Sequence, residues 1–270
     1  MATSHIRTTR DGGVATVELH RPDKLNALTL DMLDGLVSTA HELGRDRSLR
    51  AVIIAGSGES FCAGLDFATV MSDRAGLWRA FAPRPWRGTN TFQEACWAYR
   101  RLPVPVVAAV HGNCLGGGLQ IALGADFRVT TPDARWSVLE GRWGLIPDMS
   151  GIQALSEQVG KDVAKRLTMT AEVLDGERAV ELGLASEVAL DPRERAGALV
   201  DELLTRSPDA LASAKRLFEG TWHRGPRHTF ARERVEQLGL LVAANTKRAR
   251  SAAFARTTPE YADRGRRLLP

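Results

Sequence analysis

Residues 104–123 read VPVVAAVHGNCLGGGLQIAL, an apolar run from Val104 to His111 followed within a few residues by Gly116-Gly117-Gly118. A continuous β-rich run without alternation is the pattern of a strand covered on both faces, as in a parallel sheet. The glycines then open a helix over Gly116 to Leu123. A strand that passes straight into a helix through glycine is a unit of an α/β protein. Working outward, Arg50 to Ala55 (RAVIIA) is a second buried run, and Gly13 to His20 (GVATVELH) alternates as a half-buried strand does. Between these two, Thr29 is placed to cap a helix whose apolar positions Met32, Leu33, Leu36, Val37, Ala40 and Leu43 recur at helical spacing, with Asp31 in its first turn. That gives a βαβ unit. A further helical segment around Thr91 to Arg101 precedes the 104–111 strand.

From about Asp191 the pattern is almost wholly helical, over Pro192 to Thr205, Pro208 to Glu219 and Thr229 to Ala243, with Ser207-Pro208 and Gly225-Pro226 as breaks. No repeat and no low-complexity linker interrupts the chain, so the expected organisation is an α/β core over residues 1–190 and a helical region over 191–270. Ser72 to Thr91 is the least regular stretch. Rich in Trp78, Phe81, Pro83, Pro85 and Trp86, it reads equally as a mobile pocket wall or as a packed loop.

The 270 residues are 44% hydrophobic and 25% charged, the balance of an ordinary globular protein. Thirty-six Lys and Arg against 32 Asp and Glu give a net charge of +4, which suits an anionic ligand without requiring nucleic acid. Three cysteines (Cys62, Cys96, Cys114) without CxxC spacing argue against a disulfide scaffold or zinc site, and a cytoplasmic location is expected. Met1 to Gly13 has no signal-peptide core, and no apolar stretch is long enough to span a bilayer.

Two segments carry the prospective chemistry: Ser60 to Asp66 (SFCAGLD) after the second buried strand, and Cys114 to Gln120 (CLGGGLQ) after the third. Ligands of open α/β sheets collect beyond the carboxyl ends of strands. Glycines there let backbone N–H groups approach a substrate oxygen, and two such groups make an oxyanion hole. Read alone, a triple glycine equally serves a tight turn.

FCAGLD and GNCLGGGLQ, together with HRPDKLNAL at His20 to Leu28 and TAEVLDGERAVELGLASEV at Thr170 to Val188, resemble the crotonase (enoyl-CoA hydratase/isomerase) superfamily. The resemblance spans most of the chain. It implies a spiral of ββα turns, a C-terminal helical region that packs in homotrimers or in homohexamers built from two trimers, and coenzyme A bound as part of an acyl-CoA substrate, with no permanent cofactor. Leu65 and Gly117 match the positions whose backbone N–H groups bind the thioester oxygen, with Gly64 and Gly116 beside them. Lys24, Leu25 and Ala27 match the loop along the CoA pantetheine and phosphates, and Ala63 and Asp66 match the segment near the adenine.

The two glutamates of the hydratases align with Gln120 and Glu140. A glutamine holds water but does not take its proton at neutral pH, so the two-carboxylate device for hydration is incomplete. Asp148, in Pro147-Asp148-Met149-Ser150-Gly151, matches the aspartate of dienoyl-CoA isomerases, in which it works with the residue matching Glu140 to move a proton along a conjugated chain. Those isomerases usually carry an aspartate where this chain has Gln120. Read without the resemblance, Asp148 caps a helix over Met149 to Val159. The leading expectation is dienoyl-CoA isomerisation. Its alternatives are an enoyl-CoA hydratase using Glu140 with Gln120 holding water, and a catalytically silent acyl-CoA- or RNA-binding homologue.

Six histidines show no HExxH or paired ligand spacing, so no metal is expected. Cys62 and Cys114 lack a partnered His and read as small buried residues. The basic runs Lys247-Arg248-Ala249-Arg250 and Arg264-Gly265-Arg266-Arg267 lack aromatic interleaving and read as helix surface, a subunit-facing surface or CoA-phosphate contacts rather than a nucleic-acid site.

Overall fold

A computed structural model describes residues 5–265. In chain order its strands are β1 (Ile6–Asp11), β2 (Val14–Leu19), β3 (Ala51–Gly56), β4 (Val106–Val110), β5 (Asn113–Leu115), β6 (Phe127–Thr130), β7 (Arg135–Ser137) and β8 (Glu187–Val188). The main sheet runs β1-β2-β3-β4-β6-β8. Its β1–β2 edge is antiparallel and every other pairing is parallel. The three runs read from sequence are its central strands, with Val17 opposite Ile54 and Ile54 opposite Ala108. β5 and β7 pair in parallel as a separate two-stranded sheet.

Helix α1 (Leu30–Arg45) connects β2 to β3. Thr29 caps it by accepting the Met32 N–H, and its six apolar positions are all buried. It packs against α4 (Thr91–Arg100), where the Tyr99 hydroxyl donates to the Leu36 carbonyl. Between them lie α2 (Phe67–Ser72) and α3 (Arg74–Phe81). The 72–91 stretch therefore contains a helix, and its end is tied down: Arg87 and Thr89 bond the buried Glu94 carboxylate. α5 (Gly117–Ala122) follows β5 directly, and α6 (Gly151–Gln158), α7 (Lys161–Thr170) and α8 (Gly176–Glu181) lead to β8.

Both faces of the sheet are covered at its centre, which is why β3 and β4 read as unbroken apolar runs while β2 alternates. Val17, Ile54 and Ala108 join the larger core with α1 and α4. Ala55, Val107 and Val129 on the other face pack against Ala196 and Val200 of α9 (Pro192–Leu204). α9 thus lies beyond residue 190 in sequence but covers the sheet. The outlying helices are α10 (Pro208–Thr221), α11 (Pro226–Val242) and α12 (Ala244–Ala255). Among the described residues no helix is long and apolar enough to cross a membrane.

Arg264 is not an open basic group. It is buried, and its guanidinium donates to the Leu49 and Asp46 carbonyls. Arg266 and Arg267 lie outside the described residues.

Candidate active site

Strand pairing assembles the site. Beyond the end of β3, Cys62 bridges Cys114 in parallel register, exchanging bonds with Asn113 and Leu115. On the other edge Leu28 accepts that same loop, its N–H donating to Gly64 O and its carbonyl accepting from Asp66 N–H. A residue paired in this way bonds the neighbours of its opposite number, so the Leu65 N–H is turned away from residue 28. Gly117 begins α5, where a helix leaves its first N–H groups without internal partners. Among the described residues, neither the Leu65 nor the Gly117 N–H donates to a protein acceptor. The loops approach closely: a Cβ on Gly64 would stand 3.1 Å from Leu115 O and 3.9 Å from the Gly117 nitrogen.

The second sheet brings the carboxylate. Leu115 at the end of β5 pairs with Ser137 at the end of β7, and the Gly116 N–H donates to Ser137 O. Three residues on, Glu140 lies in the 3-10 turn Leu139–Trp143, and its carboxylate falls over Gly116. A Cβ there would sit 3.2 Å from Glu140 Oε1, and Gly116 has φ 50 and ψ −116, a conformation open in practice to glycine.

Glu140 is 9% exposed. Its Oε1 accepts from Gln120 Nε2 at 2.7 Å, while its Oε2 is buried with no hydrogen-bond partner. Burial pushes its carboxyl above the usual range and the neighbouring Asp148 charge adds to this, against the opposing bond from Gln120. Asp148 is half-buried, and burial raises its carboxyl as well.

Asp148 does not cap α6. The residue at that position is Ser150, held at φ 70 with no side-chain cap bond. The N–H groups of Met149 and Gly151 instead donate to Gln120 Oε1, at 2.8 and 2.9 Å. The Gln120 carbonyl therefore serves the backbone rather than a water, and the Asp148 carboxylate is left free of capping duty.

The residues expected to meet coenzyme A lie along the first loop. Lys24 and Leu25 are exposed, and the Leu25 carbonyl accepts the Ala63 N–H. Asp66 caps α2 through the Thr69 N–H and pairs with Arg21 at 2.8 Å, and that guanidinium holds its carboxyl below the usual range. All three cysteines are buried and free, and burial pushes the Cys62 thiol up to about 12.

A family model described as enoyl-CoA hydratase/isomerase matches residues 9–258. The chain belongs to the enoyl-CoA hydratase/isomerase family. It is 32% identical over 220 residues to the short-chain-enoyl-CoA hydratase of Clostridium acetobutylicum, covering 80% of this chain and 81% of that one. It is 34% identical over 210 residues to the human mitochondrial Delta(3,5)-Delta(2,4)-dienoyl-CoA isomerase, covering 75% of this chain and 64% of that one. The crystal structure of an enoyl-CoA hydratase from Polaromonas sp. JS666 superposes with a TM-score of 0.85 at 27% identity, over 95% of this chain and 99% of that one. The fold is accordingly that of the crotonase superfamily.

Within this family member, the structure brings Leu65, Gly116, Gly117, Gln120, Glu140 and the Asp148 loop to one place, and Lys24, Leu25, Ala27, Ala63, Gly64 and Asp66 to the adjoining rim. Sequence reading missed two residues that shape that rim. Asn26 is fully buried at φ 56, accepts from Arg21 N–H, and donates to the Ser57 and Ser60 carbonyls. Asn is the side chain most at ease in that left-handed conformation, which was the available signal. Arg21 bonds Ala27 O and Asp66 together, a contact across 45 residues that leaves no local pattern. Also unread was an aromatic pair, Phe67 and Trp143, with ring centroids 5.2 Å apart. Phe67 follows Leu65 by two residues and Trp143 follows Glu140 by three.

Proposed function

We propose that this chain is an acyl-CoA isomerase that moves a proton along a conjugated acyl chain, with 3,5-dienoyl-CoA converted to 2,4-dienoyl-CoA as the type reaction. The observation that carries the reading is a pair of carboxyls, Glu140 and Asp148, both raised by burial and near enough for the charge of one to act on the other, beside two unpartnered N–H groups. The N–H groups of Leu65 and Gly117 receive the thioester oxygen. One carboxylate takes a proton from C2, and the electron pair spreads through the chain onto that oxygen. The other carboxyl, protonated, gives a proton to C6. No water is consumed and no oxidant is needed. Two carboxyls that burial raises above the ordinary range suit a sequence of one removal and one donation.

Lys24, Leu25, Ala27, Ala63 and Asp66 form the coenzyme A rim in this reading, and the Phe67–Trp143 pair at its mouth favours an apolar acyl group. The competing reading is hydration with Glu140 as sole carboxylate. Its support is the hydratase name of the Clostridium relative. Catalytic silence is the third reading, and turnover of either substrate removes it. The outlying helices α10–α12 supply the contacts of a homotrimer or homohexamer in our reading.

The test is an ultraviolet assay of the protein and its Asp148→Asn variant on 3,5-dienoyl-CoA and 2-enoyl-CoA. Formation of the 2,4-diene, lost by a hundredfold or more in the variant, is the expected result. Hydration of the 2-enoyl substrate untouched by the variant would replace the isomerase reading with the hydratase one.

A further inference from the structure

Gln120 is 1% exposed and touches both carboxyl-bearing segments. Its carbonyl oxygen accepts two backbone N–H groups, those of Met149 and Gly151, so the network assigns which end of the amide is oxygen and turns Nε2 toward Glu140. The amide is then locked at both ends. A flip would set its NH2 against two N–H donors and its oxygen against a carboxylate. At one end it holds the start of α6, which has no side-chain cap of its own, in the loop that carries Asp148. At the other it occupies Glu140 Oε1, so that Oε2 alone is left without a protein partner.

We infer that Gln120 is a positioning residue: a single amide ties Glu140 to the Asp148 loop, fixes the rotation of the Glu140 carboxylate, and selects Oε2 as the atom that exchanges a proton with substrate. The inference rests on the reading of Glu140 as a proton-transfer group. It assigns the glutamine a task that neither neighbouring chemistry performs. A glutamate at 120 accepts both N–H groups but puts a second carboxylate at hydrogen-bond distance from Glu140, and the pair then shares a proton. A leucine strands two N–H groups and releases Glu140 to rotate. The titratable groups facing Glu140 are Asp148 from the loop and Cys96 from α4, whose thiol burial keeps neutral.

The test compares Gln120→Glu, which keeps the acceptor for both N–H groups and hence the fold, with Gln120→Leu, Glu140→Gln and the unaltered protein. Two readouts are taken: the pH profile of kcat/KM, and a carboxyl carbon-13 NMR titration in which Glu140 is identified by its loss in Glu140→Gln. In both Gln120 variants the Glu140 titration moves to higher pH. In Gln120→Glu the ratio of kcat/KM to that of the unaltered protein rises with pH, by about tenfold across the titration for each unit the carboxyl moves: if Glu140 acts as the base the loss falls on the acid side of the profile, and if it acts as the acid the activity persists further toward the alkaline side. A Glu140 titration in Gln120→Glu that superimposes on that of the unaltered protein, or a loss of rate equal at every pH, overturns the inference. Turnover indifferent to Glu140→Gln would instead overturn the proposed function, and the NMR titration would still decide the role of Gln120.

Discussion

Folding leaves Glu140 with one oxygen bonded to Gln120 and the other buried without a partner. An unsatisfied buried acceptor costs stability, about 1 kcal/mol or more. Glu140→Gln keeps an oxygen for Gln120 Nε2 and removes the buried charge, though not the missing partner, and is expected to stabilise the protein by about 1 kcal/mol near neutral pH while abolishing turnover. The sign of its pH dependence follows from the raised carboxyl. Above the unfolded value of 4.5 the folded state holds this proton more tightly than the unfolded one, so the native protein gains stability as pH falls through that window. The gap in Tm between Glu140→Gln and the native protein should narrow from about pH 8 to about pH 5, and a gap that widens would refute the assignment. Asn26 works in the opposite direction. Its loss in Asn26→Ala leaves two carbonyls and one N–H bereft, and chemical denaturation should register a loss of about 2 to 3 kcal/mol with weakened acyl-CoA binding.

At the scale of elements, β5 and β7 matter out of proportion to their three residues each, because their paired ends deliver Gly116 and Glu140 to the same point. Gly116→Ala should cost about 1 to 3 kcal/mol in backbone strain and displace the carboxylate, a loss visible both in a thermal melt and in turnover. Helix α4 is held by a different device. Burial alone would raise Glu94, but bonds from Thr89, His41 and Arg101 prevail and hold its carboxyl at about 2. The stability it contributes is present above 4.5 and lost as pH falls toward 2. Glu94→Gln, measured by acid titration of the fold, should remove part of that acid sensitivity. The long apolar runs and the six-position stripe of α1 were legible in sequence because their periods outlast chance. β5, β7 and β8 were not, since two or three residues carry no period. The two glycine-bearing loops, 60–66 and 114–120, were legible through their glycines and the resemblance they support. The two bonds from Gln120 to the 149–151 backbone were not, because nothing local ties residue 120 to that loop.

Across the whole molecule, the helices beyond α9 show the surface least explained by a single chain. α11 buries only Glu236, and Phe230, Leu238, Leu241 and Val242 stand half or more exposed on it, with Phe254 89% exposed on α12. Apolar area of this kind marks a contact surface. Light scattering should find an oligomer, and Leu238→Glu combined with Leu241→Glu should shift it toward monomer without unfolding the α/β core. An unaltered mass in the double variant would place the interface elsewhere. The central claim, proton transfer between two carbons by two carboxyls, is met most directly by isotope placement. We would incubate 3,5-dienoyl-CoA with the protein, Glu140→Gln and Asp148→Asn in deuterated water and locate deuterium in substrate and product by NMR. The account predicts deuterium at C6 of the 2,4-diene, diene formation lost in both variants, and exchange at C2 surviving in only one of them. Diene formed by Asp148→Asn at the native rate, with the same label at C6, would contradict it.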